Sequence, residues 1–448
     1  MIFRYLGRFG LREHPKCVYL VLNKGVEMST RISRAADVRR SAILAKLGAQ
    51  GSASRAELAR ALDVSPALVT QLTRELLRDG LIVELETSSS QGGRPGRLLG
   101  LASTAGHSIG VKIAADHVAF VEAGIDGSVI RSAIEPFDAT SPDAIENLVG
   151  LLRRFIEGDS EAPILGIGVG LPGTVDDQGE GIVQSTQLGW HGVGLGAALR
   201  DALELPVLID NNVTALSMAE LLYGEGRTVS SFLVVTVGTG IGSGIVFDGA
   251  VIRGHAGGAG EIGHIPTIEN GPLCQCGNRG CLEAIIGESA LVAQARELGV
   301  IGRLSGMASL LAEANAGNPV AQKVFGDAGH LLGRALAGVV NLLDPGIVLL
   351  LGEGMPAWPH WAFGFEPSFR ASLIPAKRDV DVIVESWQDD RWAQGAAALV
   401  LATPFDATGI AGDQGKLVRQ RLNASMTDVS ASALGAEDAI VAGSVTHE

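Results

Sequence analysis

Gly238-Thr239-Gly240-Ile241-Gly242-Ser243-Gly244 leads through Gly260-Glu261-Ile262-Gly263-His264 to Cys274-Gln275-Cys276-Gly277-Asn278-Arg279-Gly280-Cys281-Leu282-Glu283. Glycines at alternate positions permit a tight turn, and alone they are a weak signal. The cysteines say more. Three of the chain's four cysteines fall within eight positions, and His264 precedes the first by ten. Thiolates and imidazole are the ligands zinc prefers, and four of them close a tetrahedral structural site. His264, Cys274, Cys276 and Cys281 are therefore the expected zinc ligands. The competing readings are a redox pair, for which Cys-x-Cys is a poor intramolecular disulfide, and chance, which rarely places four ligands so tightly.

On either side of this stretch, apolar runs alternate with helical periodicity, which marks an α/β body. Strands are expected at 109–113, 119–123, 164–169, 207–209, 232–237, 245–247 and 347–351. Helices are expected near 143–157, 194–203, 213–223, 283–297 and 319–343, the last opened by Asn318 as cap and Pro319 at its first position. This body spans residues 103–402. From Thr403 the chain reads as a largely disordered tail, and residues 1–30 form an unassigned extension, with Met28 a second candidate start.

Residues 31–102 have another character. Apolar residues at helical spacing (Val38, Ile43, Leu44, Leu47) mark a first helix over 37–48, Ser54 with Glu57 forms the capping box of a second, and Ser65-Pro66 opens a third that Asp79-Gly80 ends. Strands at 81–85 and 97–101 flank Gly92-Gly93-Arg94-Pro95-Gly96-Arg97, giving a winged helix-turn-helix. Thr70, Gln71, Thr73, Arg74 and Arg78 are placed on the exposed face of the third helix. Between residues 30 and 100 there are eleven Lys and Arg against seven Asp and Glu, a balance of +4 in a chain of net charge -14. A basic segment on an acidic body is the footprint of a DNA-binding domain. Thr70, Gln71 and Arg74 are the expected base readers in double-stranded operator DNA, with Arg94 and Arg97 entering the minor groove. A protein-interaction role for the three-helix unit is the alternative.

The glycine turn, the Gly-Glu-x-Gly-His segment and the Cys-x-Cys-Gly-x-x-Gly-Cys-x-Glu cluster stand in the order found in the ROK family of sugar kinases and sugar-responsive repressors, which this chain resembles over residues 40–400. The resemblance implies a two-lobed, actin-like (RNase H-like) sugar-kinase fold in which zinc shapes the sugar pocket. It assigns sugar contacts to Asn211, Glu261, His264 and Glu283, and it pairs a Gly-Arg-Pro wing with the repressor branch. Gln187 stands where the family has Asn ahead of Leu188-Gly189-Trp190, which leaves the identity of the sugar open.

Two catalytic elements of the family kinases are altered. Where they carry Asp-x-Gly-Gly-Thr-Lys, this chain reads Lys112-Ile113-Ala114-Ala115-Asp116-His117. The catalytic aspartate's place, counted back from Ala219-Glu220, holds Asn212, and an amide is no general base. The expectation is a non-enzymatic, sugar-responsive DNA-binding regulator, a repressor, whose effector is a sugar or sugar phosphate. The alternative is an active sugar kinase with an appended DNA-binding domain. A homodimer or homotetramer is expected. Apolar content of 46% suits a packed core, and the absence of a secretory signal or an unbroken apolar 18-mer reads as a cytoplasmic protein without a membrane anchor.

Overall fold

The computed structural model describes residues 39–403 and 412–422, except 41, 45, 48–51, 79, 86–96, 103–105, 158–162, 177–179, 386 and 388–389. The N-terminal extension, Arg94 and residues 423–448 lie outside the described residues.

The head begins with residues 39–47, helical where described, followed by helices Arg55–Ala61 and Pro66–Arg78. The capping box is formed: Ser54 accepts from the Glu57 N–H, and Glu57 accepts from the Ser54 N–H at 2.8 Å. Ser65 accepts from the Leu68 N–H at 3.3 Å. Strand Leu98–Leu101 lies between Ile82–Leu85 and a two-residue strand, Ala53–Ser54, that the sequence did not signal. Thr73 is not on the exposed face. It is fully buried, donates to the Val69 carbonyl and accepts from Arg55 Nε at 3.0 Å, so its hydroxyl is satisfied inside the head.

The body repeats one topology twice. In the first lobe, strands His107–Ile113, His117–Gly124 and Val129–Pro136 form an antiparallel meander, and Ile164–Leu171 and Val207–Asn211 add in parallel beside the first of them. In the second lobe, Phe232–Val237, Ile241–Phe247 and Ala250–Ile252 form the meander, and Ile347–Leu351 and Asp381–Val384 add in parallel. Both five-stranded sheets thus have one strand order, the duplication expected of an actin-like body. Central strands such as Phe232–Val237 are buried on both faces, which is why they read as unbroken apolar runs.

Helix Pro319–Leu343 has Asn318 as its cap, accepting from the Val320 and Ala321 N–H groups. Helix Trp358–Ser372 packs against it. Helix Arg391–Ala402 lies on the first-lobe sheet, so close that a Cβ on Gly110 or Gly168 would sit 1.9 or 1.8 Å from the carbonyl oxygens of Ala393 or Ala396. The expected disorder beyond 403 does not hold throughout. Residues 412–422 form a helix with Val418 and Leu422 buried, and these join an apolar cluster shared by the head (Leu58, Leu72, Leu76) and the first lobe (Val121, Leu165). Arg421 Nε ties that helix to the Ile164 carbonyl at 3.0 Å, an anchor that its Ala- and Ser-rich neighbourhood conceals.

Candidate functional site

The hairpin between the first two strands of each lobe faces a cleft of about 1170 Å³. Lys112 to His117 and Asn211 to Val213 line it from the first lobe. Thr239 to Gly242, Glu261, His264, Cys276, Glu283 and Glu353 line it from the second. Asn211, Glu261, His264 and Glu283 are therefore brought together, though far apart in the chain.

Each is held by its local structure. Asn211 caps helix Asn212–Leu222, its side-chain oxygen accepting from the Val213 N–H at 2.8 Å, while its amide donates to the Gly173 carbonyl at 2.8 Å. Much of its hydrogen-bonding capacity is thus structural, leaving one amide hydrogen for a ligand. Glu283 stands in the first turn of helix Leu282–Ile286, and its Oε2 accepts from the Ile241 N–H at 3.0 Å. Glu261 is half-exposed, and burial pushes its carboxyl above the usual range, opposed by nearby His264.

His264, Cys274, Cys276 and Cys281 form a cluster able to hold a metal ion, with ligand atoms all within 4.8 Å of one another. Cys274 Sγ is 3.5 Å from His264 Nδ1, and Cys276 Sγ is 3.7 Å from Cys281 Sγ. Bonds of ~2.3 Å around a tetrahedral zinc set sulfurs ~3.8 Å apart, so the donor set fits that ion. Burial and the adjoining sulfurs push the Cys281 thiol up to about 12, a cost that a bound cation removes. His264 turns Nδ1 to the cluster and Nε2 toward Glu261, at 3.7 Å. Cys281 immediately precedes the helix carrying Glu283, so an ion held by the cluster would bear on that carboxylate's position.

The two altered positions also face the cleft. Asn212 begins helix Asn212–Leu222, and Lys112 Nζ lies 3.6 Å from Glu353 Oε1 and 5.6 Å above the Trp392 ring. Asp210, the remaining carboxylate nearby, is buried in an ion pair with Arg253 at 2.8 Å and is not among the residues lining the cleft. Sequence reasoning missed Gln184, His191 and Glu353. The first two sit on the small hairpin Ile182–Ser185/Trp190–Gly194, which carries no motif.

On the head, Thr70, Gln71 and Arg74 are exposed on helix Pro66–Arg78. Gln71 donates to Glu75 at 3.2 Å, and Thr70 to the Pro66 carbonyl at 2.8 Å. Arg97 pairs with Glu84, which also holds Arg55 at 2.9 Å.

The ROK family pattern matches residues 108–403, and the MarR family pattern matches residues 39–86. The chain is 30% identical over 312 residues to the xylose repressor of Caldicellulosiruptor bescii, covering 66% of this chain and 78% of that protein. It is 28% identical over 360 residues to the DNA-binding transcriptional dual regulator NagC of Escherichia coli K12, covering 78% and 89%. Among solved structures, a ROK family transcriptional regulator homologous to the E. coli MLC protein superposes with a TM-score of 0.70 at 24% identity, covering 87% of this chain and 99% of that one. A ROK family glucokinase from Streptomyces griseus, in complex with glucose and AMPPNP, superposes with a TM-score of 0.59 at 26% identity, covering 66% and 99%.

Proposed function

Because the chain belongs to the ROK family, we propose that it is a sugar-responsive transcriptional repressor whose sugar-kinase-like body binds without phosphorylating. The observation that carries this reading is the cleft itself. Asn211, Glu261, His264 and Glu283 line it unaltered, while Lys112 and Asn212 stand where a kinase needs carboxylates. Carboxylates and amides each take vicinal hydroxyls, so the sugar-facing set remains competent. No carboxylate is left to accept a hydroxyl proton at the catalytic position. Relatives named as a xylose repressor and as the regulator NagC support the regulatory role.

In this reading the head binds double-stranded operator DNA. Thr70, Gln71 and Arg74 enter the major groove, and Arg94 and Arg97 lie on the wing. A homodimer or homotetramer would set two such heads about 34 Å apart. Zinc on His264, Cys274, Cys276 and Cys281 serves structure, since four protein ligands leave no open position. The protein works in the cytoplasm. Among the described residues no helix is long and apolar enough to cross a membrane.

The likeness to a glucokinase and the intact Gly238 turn favour one second reading, an active kinase with a DNA-binding head. A panel of monosaccharides assayed for both ADP formation and DNA retention separates the two. Sugar-dependent release or retention of DNA without ADP is expected, and ADP formation at ordinary kinase rates would overturn the reading.

A further inference from the structure

Glu353 follows strand Ile347–Leu351 and turns its side chain onto the second-lobe hairpin: a Cβ on Gly238 would lie 2.5 Å from Glu353 Oε2. Its other oxygen accepts from Trp392 Nε1 at 2.7 Å and lies 3.6 Å from Lys112 Nζ of the first-lobe hairpin. The carboxylate therefore sits between the two turns, seated on glycine backbone and held by a tryptophan and a lysine. A carboxylate in such a place stands in for an external anion: it takes the donors and repels a second negative charge.

The rest of the cleft adds to this. Among the described lining residues, Lys112 is the only ammonium or guanidinium, and it is already paired. Against it stand Asp116, Glu261, Glu283 and Glu353. A phosphorylated ligand entering here would meet four carboxylates and, among the described lining residues, no unpaired lysine or arginine, whereas hydroxyls meet acceptors suited to them.

We propose that the effector site takes an uncharged sugar, and that Glu353, seated on the Gly238 turn, is the residue that refuses phosphate, whether on a sugar or on a nucleotide. This rests on the sugar-sensing reading for its ligand class. The refusal itself rests on the placement of Glu353 between Gly238, Lys112 and Trp392 and on the charge of the cleft lining, not on that reading.

The test measures binding by calorimetry to the full chain. The ligands are glucose, xylose and N-acetylglucosamine, the 6-phosphates of glucose and N-acetylglucosamine, and pyrophosphate. In wild type, whichever free hexose binds should do so at least ~10-fold more tightly than its 6-phosphate, and pyrophosphate should not bind. Glu353→Gln should reduce that preference at least ~10-fold and admit pyrophosphate, with Trp392 emission shifted by the altered partner. Glu353→Ser, which removes the charge without supplying an amide, should change both in the same direction. Tighter binding of a 6-phosphate by wild type would overturn the proposal. So would unchanged phosphate exclusion in both folded variants. Should none of the sugars bind, the sugar-sensing reading fails, while pyrophosphate still decides whether Glu353 guards the turn.

Discussion

The hairpin turns of the two lobes occupy the same place in a duplicated topology, and they have diverged. In the second lobe Gly238-Thr239-Gly240 keeps its backbone bare, and two carboxylates use the room: Glu353 against Gly238 and Glu283 against Gly240, where an added Cβ would come within 2.5 and 2.8 Å. In the first lobe Ala114-Ala115 cover the backbone with methyl groups, and Asp116 is turned to His117 at 2.7 Å, a contact that holds its carboxyl below the usual range. One turn still presents backbone to whatever lies against it and the other no longer does. A phosphate-bridging site needs both. A sugar-binding site that leans on one lobe's loops does not.

The largest expected effect comes from the support beneath the second turn. Cys281→Ser, or prolonged chelation, should remove the metal and abolish the sugar response, because the helix carrying Glu283 starts at the next residue. Metal analysis paired with a DNA-retention assay checks this, and a metal-free protein with an intact response would sever the turn from the cluster. Next in size, Gly240→Ala should push Glu283 off the Ile241 N–H and weaken sugar binding by roughly tenfold, about 1.4 kcal/mol. Ala115→Gly in the opposite turn should leave sugar affinity unchanged and cost at most about 1 kcal/mol of stability, read from denaturant unfolding. Equal losses of affinity in both variants would erase the asymmetry.

Arg74→Ala probes the head as a control for both turns. It should cost about 1–3 kcal/mol in specific DNA binding while leaving sugar binding unchanged, which competition between selected and random duplexes measures. Smaller still is a pH effect in the last turn of helix Asn212–Leu222. Burial pushes the Glu220 carboxyl from its ordinary 4.5 up to about 7, opposed by its pairing with Arg391. A carboxyl raised on folding binds its proton more tightly in the native state. Its contribution is full below pH 4.5 and is lost as pH rises toward 7. Glu220→Gln should flatten stability over that window, as melting points at successive pH values will show.

What the sequence disclosed follows from how local each signal is. The cluster of one histidine and three cysteines was legible because its three thiols span eight positions and His264 is near. The strands Phe232–Val237 and Ile347–Leu351 were legible because burial on both faces demands continuous apolar residues. Helix Arg391–Ala402 was not, since a helix buried all round shows no polar stripe to set its period. Helix Trp358–Ser372 was hidden by Pro359 and Pro367, which read as breaks. Strand Val129–Pro136 lies at a sheet edge, largely exposed, with too little apolar alternation to announce itself. Thr73 was misplaced because a polar residue was read as outward, when the Val69 carbonyl and Arg55 satisfy it within. Glu353 carries no motif, and its partners Lys112 and Trp392 become neighbours only once both lobes and the helix Arg391–Ala402 are assembled.

That same helix sets when the first-lobe sheet can be completed. Strand His107–Ile113 is made early, yet the small-residue surface that fits against Gly110 and Gly168 is among the last pieces of the body to be translated. At roughly 5–20 residues per second, the first-lobe sheet waits on the order of tens of seconds for this helix. Gly110 and Gly168 present no side chain on the strip that the helix will cover. The tight packing of the helix is thus preceded by an interval in which those two strand positions expose backbone alone.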